Sequence, residues 1–234
     1  MTLAIFSVGH RPSTRCPDKM LRPFANTTLT DLVMAKLKTL GLTYPVFFAA
    51  HEEVFADKAG TWGVPFVRQS LEASLIGGPA RAIHHYLEAV PYEWVCLLNA
   101  SLPFLSVPTI RAFIAQATAH GEPTPAFAVV EQRDYFLTAN GTPVNFDESL
   151  ATINTKVVPP LHKFAHAIYL FHRRHFLNTG QYWDWKTVKY ILLPDDLELF
   201  DIDETWQFEA AEAVWRARQA AIPLPAKAGS PLAV

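Results

Sequence analysis

The chain has 234 residues, 20 Lys and Arg against 22 Asp and Glu, and a formal charge of −2; half of it is hydrophobic and 18% is charged. That balance excludes a disordered tail protein and a polybasic nucleic-acid binder. No stretch approaches the ~20 consecutive apolar residues of a spanning helix, and the two cysteines, Cys16 and Cys96, are too few for a disulfide framework. A chain of this size buries roughly 70–75% of its unfolded surface, so one sizeable core is expected. The apolar run 2–8 is followed at once by His10, Arg11 and Arg15, without the pattern of a secretory signal. The expectation is therefore a cytoplasmic protein with no membrane and no nucleic-acid partner.

In chain order, runs rich in β-branched and aromatic residues predict strands at 3–8, 44–49, 64–67, 94–98, 127–131, 167–171, 189–193 and 197–202. Between them, Leu29, Leu32, Val33, Ala35, Leu37 and Leu40 recur at helical spacing, with Thr28 or Thr30 as cap. Further helices are predicted at 52–61, 79–89, 107–120 and 204–220. The last carries Trp206, Ala210, Ala211, Val214 and Trp215 on one stripe. The first half alternates strand and helix, the signature of a doubly wound parallel α/β sheet. From about 133 to 190 the rhythm breaks, with turn signals at Asn140-Gly141, Pro159-Pro160 and Thr179-Gly180. That stretch reads as an insertion, and 222–234, with three prolines and small residues, as a flexible tail. The expected organisation is a single domain over 1–221.

Three segments carry candidate chemistry. The loop after the first strand holds Arg11, Ser13, Thr14, Arg15 and Lys19, with Arg22 close behind. Guanidinium forks and ammonium groups suit phosphate oxygens, although the Walker pattern is absent; a solvated basic loop is the plain alternative. The second is Asp201-Ile202-Asp203. Side chains at i and i+2 of a strand share a face, and two carboxylates there suit Mg²⁺. Against this stands a reading in which Asp203 caps the last helix and Asp201 faces water. The third is the polar turn after the fourth strand, where Asn99 and Ser101 offer hydrogen bonds to a base or hydroxyl; most such patterns are simply turns. His84-His85 and His172–His175 lack metal-ligand spacing and read as helix surface or strand end. Cys16 has no partner that would make it a nucleophile.

In order, these pieces resemble the CMP-sugar-acid synthetases, the acylneuraminate and 3-deoxy-manno-octulosonate cytidylyltransferases, over residues 3–216. The family's Arg-x-x-Ser-x-x-x-Pro-x-Lys phrase is matched by Arg11-Pro12-Ser13-Thr14-Arg15-Cys16-Pro17-Asp18-Lys19, one residue shorter between Arg and Ser. Phe66-Val67-Arg68-Gln69 and Tyr86-Leu87-Glu88 follow, then Leu97-Leu98-Asn99-Ala100-Ser101-Leu102-Pro103 in place of Leu-Leu-Gln-Pro-Thr-Ser-Pro. Ala165-His166-Ala167-Ile168-Tyr169 stands for Asn-Gly-Ala-Ile-Tyr, and Asp201-Ile202-Asp203 closes the set.

The resemblance implies a Rossmann-like, GT-A-like nucleotidyltransferase sheet with an inserted dimerisation subdomain at 133–190, and a homodimer. It implies CMP transfer from CTP to a hydroxyl of a small acidic acceptor, such as a 2-keto sugar acid, with Mg²⁺. Arg11, Ser13, Thr14 and Lys19 would hold the nucleotide phosphates. Arg68, Asn99 and Ser101 would lie on the nucleotide side, and Asn99 and His166 toward the acceptor. Asp201 and Asp203 would bind the metal; with Arg11 and Lys19 they form the catalytic set. Met20, Leu75, Phe104, Ala165 and His166 depart from the family pattern, several on the acceptor side. The same transfer to a non-sugar acidic acceptor is one alternative, and two others remain. A nucleotide-sugar glycosyltransferase also uses Asp-x-Asp, though there the motif sits mid-chain and here it stands at 201–203. A non-catalytic nucleotide-binding descendant is the other.

Overall fold

Five of the six residues of β1 (Leu3–Val8) are buried. A strand apolar on both faces belongs inside a parallel sheet. The one polar exception, Ser7, donates its hydroxyl to the Leu98 carbonyl at 3.0 Å and is satisfied. The computed structural model describes residues 2–75, 79–149 and 153–218. Six further strands join β1: β2 (Val46–Ala50), β3 (Phe66–Arg68), β4 (Trp94–Asn99), β5 (Ala126–Gln132), β6 (Leu161–His172) and β7 (Lys189–Leu192). Their order is β3-β2-β1-β4-β6-β5-β7. β1 pairs in parallel with β2 and β4, β2 with β3, and β5 with β7, whereas β6 runs antiparallel to both β4 and β5. The fold is α/β with a seven-stranded mixed sheet, wound on both faces as the alternating sequence predicted.

On one face lie α1 (Leu29–Leu40), α2 (Glu53–Trp62), α5 (Val107–Ala117) and α7 (Thr205–Arg218), which share a core with Ile5, Phe48 and Leu98. α1 starts where the sequence placed it: the Thr28 hydroxyl accepts from the Asp31 amide at 3.1 Å. The opposite face, Ala4, Phe6, Leu97 and Phe171, is covered by Tyr86 and Leu87 of a 3-10 turn (His85–Glu88) and by Phe176 of α6 (Arg173–Thr179). The short helices α3 (Leu71–Ser74) and α4 (Ala80–Ile83) precede that turn.

Four expectations change. The strand expected at 197–202 is a 3-10 turn, Asp196–Leu199, running into extended chain. The Asp195 carboxylate accepts from the Leu197 amide at 2.8 Å, and this local capture favours a turn over a ladder. The helix expected at 79–89 is divided at His84 into α4 and the 3-10 turn. In α7 the buried positions are Phe208 and Ala211, with Trp215 packed against them, while Trp206 and Val214 face outward. Within 133–190, Leu161–His172 and Lys189–Leu192 are strands of the central sheet, so the excursion from it is confined to 133–160 and 173–188. The tail 222–234 lies outside the described residues.

Candidate active site

The chain leaves β1 toward β2 and β3, then returns to the other side of β1 as β4. In such a sheet the crevice at the carboxyl ends of the two diverging strands is where ligands bind. Val8 and Asn99, register partners, stand at those ends. Gly9 then turns the chain away while its amide donates to the Ala49 carbonyl at 2.9 Å. A Cβ built on Gly9 would lie 2.5 Å from Cζ of Phe48, so only glycine lets the loop start this close to β2.

Across the crevice from that loop lies the acidic segment. Ile202 is fully buried. Its amide donates to the Ser101 carbonyl at 3.2 Å, and its carbonyl accepts from Lys19 Nζ at 2.5 Å. The buried isoleucine thereby anchors a carboxylate on each side of it. Asp203 Oδ1 pairs with Arg15 at 2.9 Å and Lys19 at 3.4 Å. The Gln207 side chain reaches back to accept from the Asp203 and Glu204 amides, both at 2.8 Å, so a glutamine, not Asp203, caps the start of α7. Asp201 Oδ2 accepts from Asn99 Nδ2 at 2.9 Å, whereas Oδ1 is buried and meets no hydrogen-bond donor among the described residues. Burial, followed by the Asp203 charge, raises the Asp201 pKa; Lys19, Asn99 and His166 oppose the rise.

Two clefts share this acidic wall. One, of about 430 Å³, is lined by Val8, His10, Ile83, His84, Leu97 and Tyr169. The other, of about 420 Å³, is lined by Gln132, Lys163, Phe164 and Phe200. His166, Asp201 and Asp203 border both. His166 is exposed, and its Nδ1 lies 2.8 Å from the Tyr169 hydroxyl.

The structure thus gathers Lys19, Asn99, Ser101, His166, Asp201 and Asp203 in one place. Lys19, however, is buried and directed into the acidic segment. The Asn99 side chain is engaged with protein groups, and so are the backbone amide and carbonyl of Ser101. Arg11 pairs with Asp18 at 3.0 Å, and its amide donates to Glu52. Ser13 accepts from the Cys16 amide at 3.3 Å, and Thr14 is exposed on the same loop. Arg68 sits farther off, at the end of β3, donating to Glu53 and the His51 carbonyl.

Sequence reasoning missed His10, His84, Tyr169 and Lys163. His84, read as surface, is buried: Nε2 lies 3.0 Å from the Tyr182 hydroxyl and Nδ1 3.3 Å from that of Tyr86. Burial lowers its pKa to about 4, so the ring is neutral. His10 is likewise lowered, by burial and then by Lys19. Its position directly after the glycine that closes β1 was the available signal.

This architecture has known relatives. The MobA-like NTP transferase domain matches residues 9–182, from the start of the basic loop to Tyr182. The chain belongs to the MobA-like NTP transferases. No curated protein matches it. Among solved structures it is similar to CMP:2-keto-3-deoxy-manno-octonic acid synthetase complexed with CTP, at 10% identity and a TM-score of 0.66, covering 93% of this chain and 100% of that one. It is equally similar to 4-diphosphocytidyl-2C-methyl-D-erythritol synthase from Anaerococcus prevotii (10% identity, TM-score 0.66, 92% and 96% covered). A cytidylyltransferase from Leptospira borgpetersenii serovar Hardjo-bovis follows at 16% identity and a TM-score of 0.60, covering 93% of this chain and 87% of that one. These likenesses establish the nucleotidyltransferase fold.

For this NTP transferase a divalent cation is the implied helper. Among the described residues no three His, Cys, Asp or Glu gather into a closed metal cage. The open donor set nevertheless fits Mg²⁺, which binds through one or two carboxylates and leaves positions for water and phosphate. The unpartnered Asp201 Oδ1 is the oxygen such an ion would satisfy. No helix among the described residues is long and apolar enough to cross a membrane.

Proposed function

We propose that this NTP transferase is a cytidylyltransferase that moves CMP from CTP to a hydroxyl of a small acceptor. The supporting observation is that two clefts meet at one carboxylate pair, with a cationic loop beside it. The acceptor oxygen bonds to the α-phosphorus, the bond from that phosphorus to the bridging oxygen breaks, and pyrophosphate leaves. The pyrophosphate oxygen keeps the electrons of the broken bond, and the acceptor hydroxyl gives up its proton to solvent water. In the cleft bordered by His10 the triphosphate takes over Arg11 and Arg15 from their carboxylate partners, an exchange that is easy because both pairs are exposed. Lys19 keeps the acidic segment against the loop. The second cleft receives the acceptor, with His166 at the junction. Asp201 and Asp203 would hold Mg²⁺, which when bound neutralises charge on the phosphates. Chemistry of this kind rests on positioning and charge. A 2-keto sugar acid is the acceptor that the motifs favour. A homodimer through the 133–190 region is part of the same reading, as is a single domain over 1–221.

The test is a titration with CTP, ATP, GTP and UTP, with and without Mg²⁺, read as a thermal shift. Selective, Mg²⁺-sensitive CTP stabilisation followed by pyrophosphate release with a 2-keto sugar acid is the expected result, and Asp203→Asn should slow that release by about 100-fold or more. UTP selectivity without pyrophosphate release would transfer the assignment to a glycosyltransferase. Nucleotide binding without turnover across a broad acceptor panel would mark a non-catalytic descendant.

A further inference from the structure

Asn99 ends β4 at the point where both clefts meet, and every hydrogen it can donate is already committed. Its Nδ2 donates to the His166 carbonyl at 2.7 Å and to Asp201 Oδ2 at 2.9 Å. Its Oδ1 accepts from the Ser101 amide at 2.8 Å. With two acceptors at one end of the amide and an N–H at the other, only one orientation of the side chain satisfies all three. A primary amide has two hydrogens, so none remains for a nucleobase or ribose. The same turn also fixes the backbone next to Asp201, because the Ser101 carbonyl accepts from the Ile202 amide. Asp201 Oδ2 is thereby tied to the protein, while the buried Oδ1 is left without a donor.

We propose that Asn99 is a positioning residue that sets the rotation of the Asp201 carboxylate so that Oδ1 alone is presented to a divalent cation. This rests on the nucleotidyl-transfer reading for the identity of the site, and it reassigns Asn99 from ligand contact to metal-site support. A carboxylate oxygen held out of water without a donor is unfavourable by itself, and an oxygen-seeking cation relieves it. Groups that orient a metal ligand typically change metal affinity by about 10–100-fold when removed.

The experiment uses the full chain, with Mn²⁺ as the probe and electron paramagnetic resonance to count the free ion. Separate calorimetric titrations with CTP are made in EDTA. Asn99→Ala should weaken Mn²⁺ binding by about tenfold or more, while metal-free CTP affinity stays within about twofold. If that variant fails to fold, Asn99→Ser, which keeps a short polar side chain in the turn but cannot reach Asp201, is used instead. In an Asp201→Asn background with CTP present, the Asn99 substitution should change Mn²⁺ affinity by less than about twofold, because its effect runs through Asp201. Unchanged Mn²⁺ binding in Asn99→Ala, an undiminished effect in the Asp201→Asn background, or no Mn²⁺ binding by the wild-type protein would each overturn the proposal. Loss of metal-free CTP binding in Asn99→Ala would also overturn it, by returning Asn99 to the nucleotide. Wild-type protein that binds Mn²⁺ in the Asn99-dependent way but no nucleotide would support the positioning role and sink the cytidylyltransferase reading separately.

Discussion

The Lys19 ammonium donates to the Ile202 carbonyl across 2.5 Å, joining residues 183 positions apart in the chain. Asp203 adds a second contact, an anionic one, at 3.4 Å. A charged donor buried on a backbone acceptor is a strong and directional link. Lys19→Met should therefore lower unfolding free energy by about 2 kcal/mol. Arg15→Ala, which removes an exposed partner of the same Asp203, should change it by less than about 1 kcal/mol. Urea denaturation of both variants checks the contrast; equal losses would mean that the buried contact is not the anchor.

His84 should make the protein sensitive to mild acid. Its folded pKa lies at about 4 because of burial, and both ring nitrogens face tyrosine hydroxyls. An unfolded histidine titrates near pH 6.5, so between about 6.5 and 4 the unfolded chain binds a proton that the folded one refuses. The stabilising contribution is complete above pH 6.5 and is lost as pH falls through that window, by about 3 kcal/mol in all. His10, also lowered, has the same sign. Between pH 6.5 and 5.5, His84→Gln should lose about 1 kcal/mol less than wild type on the same drop. Identical slopes in denaturation curves would mean that His84 accepts its proton while folded.

Lys36 predicts the opposite end of the scale. Its Nζ donates to the Leu102 and Pro103 carbonyls at 2.6 and 3.1 Å, fastening the turn that carries Ser101. The side chain is partly exposed, but the ammonium is enclosed, and burial lowers its pKa to about 7, with Glu198 opposing. Above pH 7 the folded chain has released a proton that the unfolded chain holds until about 10.4. Stability should therefore rise with pH from 7 to 8.5, at up to about 1.4 kcal/mol per unit. Lys36→Met should flatten that rise. The interval stops at 8.5 because the buried Cys96 thiol, whose pKa is raised, acts with the reverse sign once the unfolded thiol ionises. A slope unchanged in Lys36→Met would assign the rise to other groups.

Gly9→Ala should destabilise by about 1–3 kcal/mol through overpacking. The added methyl would sit 2.5 Å from a Phe48 ring that is wholly buried and packed on Phe55. Phe48→Leu opens that space, so the double variant should be more stable than the sum of the two single losses implies. Simple additivity in thermal melts would place the strain elsewhere.

The frame of this fold was visible in local pattern. β1 and β4 are apolar runs long enough for a buried strand, and α1 carries both its stripe and its Thr28 cap. What escaped depended on partners far along the chain. His84 looks like surface until Tyr182 supplies a hydroxyl from 98 residues away. The basic loop was legible as charge, but its pairing with Asp203 and Glu204 was not. In the acidic segment the strand pattern was real, yet Asp195 turned it into a 3-10 turn through a hydrogen bond two residues long. In α7, Phe208, Ala211 and Trp215 recur at spacings that suit a helix face as well as the expected stripe does. Packing on Phe24 and Phe104 chose between them.

The bond from Lys19 to Ile202 also orders events in time. Chains fold as they are synthesised, beginning from the amino-terminal side. The basic loop is made well before its partners: the groups that hold Lys19 belong to 202 and 203, and Ala25 beyond it is held by Glu212 of α7. While the ribosome is still adding the intervening sheet strands, Lys19 lacks its seat on Ile202 and Asp203, and the two sides of the crevice meet only after that segment has been made.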